Sequence, residues 1–234
     1  MQPLVLILLA AWLAGLAAFA GGVLAKLEGS AETEGKREII HGITAFGGGI
    51  LLAAVAFALV PVGVAELPPV ALAATCCVGG LVVCGLDAVI SRNVGGKAQL
   101  LAMLLDFVPE AMALGALFGH SQHGGWLLAL FIGAQNVPEG FNAYRESAGS
   151  GRRTSLRHLL AVSFLGPAAA CAGYLFLRGQ PVLTAGIMSA AGGGILYLVF
   201  QDIAPQAVMR RHWTPPLGAV LGFVAGLVGK QLLG

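Results

Sequence analysis

Charged side chains are scarce in this chain. Asp, Glu, Lys and Arg make up 10% of its 234 residues, whereas a soluble domain carries about 25%. So few charges cannot hydrate the surface of a soluble globule of this length, which excludes an ordinary soluble enzyme or binding module. Hydrophobic residues make up 57% of the chain, and lipid is therefore predicted to surround most of the surface. The formal net charge of +2 carries little information, and no nucleic-acid partner is expected.

Cysteines and catalytic motifs are scarce as well. The four cysteines are Cys76, Cys77, Cys84 and Cys171. All lie inside apolar runs and none forms a CxxC pair, so they are interpreted as small buried hydrophobic residues. The chain has no HExxH sequence, the signature of a metalloprotease helix. Ser163 and Ser189 have no histidine at the same predicted depth, as an intramembrane serine protease would need. No catalytic residue is predicted, and the protein is not expected to be an enzyme.

Apolar runs of about 17–25 residues recur along the chain, and a run of this length can cross a bilayer as a helix. The tripeptide AFA at residues 18–20 resembles a signal-peptidase site, but no Lys or Arg precedes the first run. That run is therefore predicted to be a retained helix. The breaks between runs are short and rich in Gly and Pro. We predict an all-α membrane protein with one transmembrane domain over residues 1–234. The eight predicted spans are residues 4–24, 40–60, 70–90, 100–118, 126–144, 159–177, 182–208 and 217–233.

The distribution of basic residues supports this number of spans. Eight spans place Arg178 and Lys230 on the side of both termini, and the other 11 of the 13 Lys and Arg residues on the opposite side. A missed or invented span would scramble this separation. Because cytoplasmic loops concentrate Lys and Arg, both termini are predicted to face outward.

Two sequence motifs occur twice. DFVPEA at 106–111 in the fourth span is similar to QNVPEG at 135–140 in the fifth, and GGGIL at 47–51 in the second span recurs at 192–196 in the seventh. In each pair the two spans cross the membrane in opposite directions. Inverted repeats of this kind are typical of transporters with a binding site at mid-membrane. We predict that spans one to three and six to eight form an inverted repeat around spans four and five.

Acidic residues inside the spans are the strongest functional signal, because an ionisable side chain in a membrane is costly and usually functional. Asp87 lies near the end of its span and is interpreted as a residue that reaches the interface. No Lys or Arg lies deep in a span, so each remaining acid must be protonated, hydrated or bound to a cation. The acids in predicted spans are Asp87, Asp106, Glu110, Glu139 and Asp202.

Polar residues of the fourth, fifth and seventh spans are predicted to form an oxygen-lined cation site. The acids of the fourth span are four residues apart, as are Gln135 and Glu139 in the fifth, so each pair shares one helix face. Asn136 is offset by one position, beside a second adjacent site. Hard oxygen ligands favour Mg²⁺, Ca²⁺ or Mn²⁺. The candidate ligands are Asp106, Glu110, Gln135, Asn136, Glu139, Gln201 and Asp202.

These segments resemble motifs of the ZIP family of divalent metal transporters, and the resemblance covers most of the chain. The matching segments are residues 58–62, 106–111, 135–140 and 201–206. The resemblance implies eight helices with both termini outside. It also implies movement of a divalent ion, such as Zn²⁺, Fe²⁺, Mn²⁺ or Cd²⁺, toward the cytoplasm. By position, Glu110 and Glu139 match the acids that contact the metal in the family, and Gln135 matches a site ligand that some members have.

The chain departs from the family pattern at several ligand positions. Asp106 stands where a histidine is expected, Phe107 where Asn is common, and Asn136 where an acid is usual. Gln201 and Gln206 replace acids, and the second span has lost both of its polar groups. These changes weaken a two-metal site and remove its imidazole, so an ion harder than Zn²⁺, such as Mn²⁺ or Fe²⁺, is expected. The ligands left for a single site are Asp106, Glu110, Gln135 and Glu139.

Two functions follow from this pattern. The first is a transporter that passes a divalent cation by alternating access through the site on helices four and five. The second is a protein of the same fold whose degenerate site makes it a metal sensor or a non-transporting partner. Membrane lipid surrounds either protein, and Gly-rich helix faces favour a homodimer. A bacterial inner (plasma) membrane is expected, because the chain is compact and lacks eukaryotic targeting elements.

Overall fold

The computed structural model describes residues 2–29, 33–93, 98–119, 121–149 and 156–233. These residues form eight helical segments and no strand, which confirms the all-α class for the part of the chain described. The helices are α1 (Gln2–Glu28), α2 (Glu34–Glu66), α3 (Pro69–Asn93), α4 (Ala98–Phe118), α5 (Gln122–Gly149), α6 (Leu156–Leu177), α7 (Pro181–Ala207) and α8 (Leu217–Leu233).

Most of these helices have the length and composition of membrane spans. Five apolar segments are long enough to cross a bilayer, and they cover most or all of α1, α2, α3, α6 and α7. The apolar part of α8, Leu217–Leu232, is shorter. The acid-bearing helices α4 and α5 contain 21 and 28 residues, and at 1.5 Å per residue both are about 30 Å long or more. The described residues therefore form a helical protein suited to a membrane, while the number of crossings stays a prediction.

Helices α2 and α7 contain the same irregularity at matching positions. A π-helical turn spans Val55–Leu59 in α2 and Val199–Ile203 in α7. Pro61 and Pro205 follow these turns. Proline has no N–H and its ring collides with the carbonyl four residues earlier, so a wider turn before it relieves the collision. Such π turns often occur at functional sites, and the second of these turns contains Asp202.

Glycines hold four pairs of helices at close range. The four pairs are α1 with α5, α4 with α6, α2 with α8, and α3 with α7. In each pair, both helices contribute a glycine that faces the backbone of the partner helix. A Cβ atom added at any of these glycines would lie 1.9–2.1 Å from a carbonyl oxygen of the facing helix. Only glycine therefore permits this approach. The glycines are Gly21 and Gly140, Gly115 and Gly173, Gly49 and Gly222, and Gly79 and Gly193.

The packing of α1–α3 repeats in α6–α8. Helix α1 packs on α5 as α6 packs on α4, and α2 packs on α8 as α7 packs on α3. Helix α2 also contacts α5, as α7 contacts α4. Helices α4 and α5 touch each other between these two sets. The arrangement places the two acid-bearing helices side by side at the centre of the helical assembly.

The four cysteines are less buried than the sequence predicts. The structure contains all four cysteines as free thiols, in agreement with the absence of a CxxC pair. However, Cys77 and Cys84 are exposed on α3, and Cys76 and Cys171 are only partly buried. For the three cysteines on α3 the reason is that this helix packs mainly against α7, so an apolar run did not imply burial within the protein.

Candidate functional site

Helices α4 and α5 bring three of the predicted ligands into direct contact. Asp106 and Glu110 lie one turn apart on α4 and face Gln135 on α5. The side chains are 8%, 0% and 1% exposed, respectively. The Nε2 atom of Gln135 donates to Glu110 Oε2 at 2.6 Å and lies 3.4 Å from Asp106 Oδ2. One amide thus bridges two carboxyl groups that lie away from bulk water.

Several oxygens at this contact have no hydrogen-bond partner within the described residues. They are Glu110 Oε1, Gln135 Oε1 and, one turn further along α5, Glu139 Oε2. A buried polar atom without a partner costs free energy. Oxygens of this type can be satisfied by a cation, by water or by protonation of the acid, so the cluster has the donor set of a hard cation site.

A cavity with both polar and apolar lining residues lies beside Asp106 and Glu139. Helices α2, α4, α5 and α7 form its walls, and it offers about 40 Å³ to the centre of a water-sized sphere, enough for a few waters. Its lining has no Lys, Arg or His side chain among the residues that the structure describes. The cavity is therefore suited to cations rather than anions. Its polar lining residues are Thr44, Asp106, Glu139, Asn142, Asp202 and Gln206.

Of the two predicted ligands on α7, Asp202 lies at the cavity and Gln201 does not. Asp202 lines the cavity, as do Leu198 and Gln206, at a spacing of four residues along α7. Gln201 is exposed and is not part of the lining. Adjacent residues of a helix point in directions about 100° apart, and the side of α7 that lines the cavity includes Asp202 and Ile203 but not Gln201. The structure therefore gives no support for Gln201 as a ligand.

Asn136 has a structural contact. Its side chain is 1% exposed, and its Nδ2 atom donates to the carbonyl oxygen of Ala14 on α1 at 2.8 Å. Its Oδ1 atom has no hydrogen-bond partner in the described part of the chain. The side chain thus joins α5 to α1, the same pair that Gly21 and Gly140 hold together, and the structure gives no support for a ligand role.

Sequence reasoning missed two polar residues of the cavity, Thr44 and Asn142. The position of Asn142 could have been predicted from the sequence. It follows Gln135 by seven residues and Glu139 by three, and this spacing keeps all three on one helix face. The position of Thr44 could not have been predicted in this way, since a single hydroxyl in an apolar run usually forms a hydrogen bond with its own helix backbone.

The acids do not form a ready-made metal cage. No three His, Cys, Asp or Glu side chains converge closely enough to hold a metal ion among the residues described. Gln135 lies between the α4 acids instead. The Gln135 Nε2 atom occupies one carboxyl oxygen of Glu110 through its hydrogen bond.

No protein-family model matches the chain, and no curated protein matches it at a significant level. The resemblance to ZIP transporters therefore rests on the short motifs of α2, α4, α5 and α7.

Proposed function

We propose that this protein is a membrane transporter that carries divalent metal cations toward the cytoplasm through the site between α4 and α5. One observation carries the proposal. Asp106, Glu110 and Glu139 present carboxyl oxygens within the helical assembly, beside a cavity whose described lining contains no cationic side chain. Intramembrane acids without basic partners are typical of ion pathways. The direction of movement follows from the resemblance to the ZIP family alone.

The chemistry of the ligands favours a hard or intermediate cation. Carboxylate and amide oxygens suit Mn²⁺ and Fe²⁺ better than they suit Zn²⁺ or Cd²⁺, which prefer imidazole and thiolate. Neither His nor Cys lines the described cavity. We expect Mn²⁺ or Fe²⁺ to be carried in preference to Zn²⁺, and a strong preference for Zn²⁺ through these residues in a metal competition assay would contradict this assignment.

The same proposal includes eight membrane crossings, both termini outside, and an inverted repeat of α1–α3 and α6–α8. The repeated packing of helices and the matching π turns support the repeat. The separation of basic residues supports the orientation. A bacterial inner membrane and a homodimeric state belong to the proposal as well.

Cysteine labelling tests the orientation. In a variant with its four cysteines replaced by Ala, we introduce Glu66→Cys or Gln180→Cys, which are expected outside, and Trp213→Cys, which is expected inside. All three positions are exposed. An impermeant maleimide added to intact cells should label the first two and should label Trp213→Cys only after the cells are opened. Labelling of Trp213→Cys alone in intact cells would reverse the orientation.

Adjacent residues on the second π turn give a matched pair of variants. Asp202→Ala removes a carboxyl group from the cavity and is expected to lower cation uptake about 3- to 10-fold, because negative charge along a path concentrates cations. Gln201→Ala changes the neighbouring exposed side chain and is expected to leave uptake within about twofold. Metal uptake into proteoliposomes measures both, and equal losses in the two variants would contradict the placement of Asp202 on the pathway.

A second candidate function is a metal sensor or a non-transporting membrane partner. The direct bond from Gln135 to Glu110 favours it, because the bond satisfies a site atom without any ion. Purified protein in liposomes separates the two functions. Metal flux supports transport, whereas saturable metal binding without flux supports the sensor.

A further inference from the structure

Two uncharged residues line the cavity together with its acids. Thr44 is 5% exposed on α2, and Asn142 is partly buried on α5. The Asn142 Nδ2 atom lies 3.1 Å from Thr44 Oγ1, and the Asn142 Oδ1 atom lies 3.4 Å from the same hydroxyl oxygen. The pair joins α2 to α5 across the cavity wall, in a position that the proposed ligand set does not use.

The number of available protons decides how this pair is bonded. Thr44 Oγ1 also lies 3.1 Å from the carbonyl oxygen of Ile40. A hydroxyl has one proton, so it can donate to Ile40 or to Asn142 but not to both. If the Thr44 proton goes to Ile40, its lone pair accepts from Asn142 Nδ2, and both of these shorter contacts are satisfied. The Asn142 Oδ1 atom is then left without the Thr44 donor, in a residue that lines the cavity.

The position of Asn142 places this oxygen further along the pathway. Gln135, Glu139 and Asn142 follow one another on one face of α5 at spacings of four and three residues. With a rise of 1.5 Å per residue, Asn142 lies about 4.5 Å beyond Glu139 along the helix axis. It lies on the side of Arg145, which belongs to the basic end of the helix. A cation that leaves Glu139 toward this end passes Asn142.

We infer that Asn142, held by Thr44, is a neutral oxygen ligand for the divalent cation. The cation binds there on its way from Glu139 to the membrane side predicted to hold most of the Lys and Arg residues. The inference rests on the proposed transport function. A pathway must bind an ion strongly enough to admit it and weakly enough to release it. An amide oxygen carries no net charge and thus binds the cation more weakly than the preceding carboxylate does. As a hard ligand it also favours Mn²⁺ over Cd²⁺.

The test compares uptake of Mn²⁺ and Cd²⁺ by proteoliposomes that contain wild type, Asn142→Leu or Asn142→Asp. Asn142→Leu is expected to lower Mn²⁺ uptake up to about tenfold, the loss of one polar contact, and to lower Cd²⁺ uptake less. Asn142→Asp is expected to lower both KM and the maximal rate for Mn²⁺, because a charged ligand holds the ion longer. Since Asp is nearly the same size as Asn, this variant tests the inference even if Asn142→Leu does not fold.

Thr44→Val distinguishes a metal-binding role of Asn142 from a role in which Asn142 only joins α5 to α2. It removes the hydroxyl and breaks the pair but leaves the Asn142 oxygen, so it should lower Mn²⁺ uptake less than Asn142→Leu does and should leave the ratio of Mn²⁺ to Cd²⁺ uptake unchanged. Equal losses in Thr44→Val and Asn142→Leu with an unchanged ratio would overturn the inference, as would unchanged KM and rate in Asn142→Asp. Either result leaves the transport proposal intact. Absence of flux in folded wild-type protein overturns both.

Discussion

Replacing Glu139 or Glu110 by Ala is expected to abolish most metal uptake. Each acid contributes a buried oxygen that has no hydrogen-bond partner in the described structure, and Glu139 also lines the cavity. Contacts with a charged group contribute about 1.5–3 kcal/mol each, so uptake should fall about 10- to 100-fold in either variant. The measurement is the initial rate of Mn²⁺, Fe²⁺, Zn²⁺ and Cd²⁺ uptake into proteoliposomes at matched amounts of reconstituted protein.

Asp87→Asn is the control for removal of an intramembrane acid. Asp87 lies on α3 and accepts a hydrogen bond from the Tyr197 hydroxyl at 3.0 Å. It does not line the cavity, and Asn at this position retains an acceptor for the tyrosine. Uptake by Asp87→Asn should therefore stay within about twofold of wild type. If Asp87→Asn loses as much uptake as Glu139→Ala, or if both glutamate variants retain full activity, the site between α4 and α5 is not the transport site.

The second large effect concerns the stability of the helix assembly. Gly79→Val on α3 is expected to destabilise the protein, because a Cβ at this position would lie 1.9 Å from the carbonyl oxygen of Ala190 on α7. The obstacle is backbone, which cannot move aside as a side chain can, so α3 and α7 must separate. A cost of about 3 kcal/mol, at the upper end for overpacking, corresponds to a fall of about 6–12 °C in the melting temperature.

Gly85→Val provides the control on the same helix. No atom lies within 4 Å of a Cβ built at Gly85, and Val forms helix at least as well as Gly. Its melting temperature in detergent should match or slightly exceed that of wild type. A loss in Gly85→Val equal to that in Gly79→Val would show that glycine flexibility, and not the close approach of α3 to α7, stabilises the protein.

The length of the apolar runs was sufficient to predict the helices, and the four-residue spacing was sufficient to predict which polar residues share a helix face. Each predicted apolar run lies within or close to one helix. A helix that crosses a bilayer needs an apolar stretch as long as the hydrocarbon core is thick, so the length of a run predicts a helix. Helix ends were predicted less well, as in α5, which extends at both ends beyond the predicted run of 126–144. Backbone hydrogen bonds continue into the polar interface, where apolar composition gives no signal. Asp106 and Glu110 share a face for the same local reason, a spacing of four residues.

The sequence by itself determined that the protein is helical, suited to lipid, and acidic at the centre of two adjacent helices. These properties depend on composition and on spacing within one helix, which are local. Only the tertiary structure decided that Asp202 and not Gln201 faces the cavity, that Asn136 bonds to α1, and that Thr44 meets Asn142. These outcomes depend on the rotation of each helix about its axis. That rotation is set by contacts between glycines and backbone far apart in sequence, which no single helix encodes.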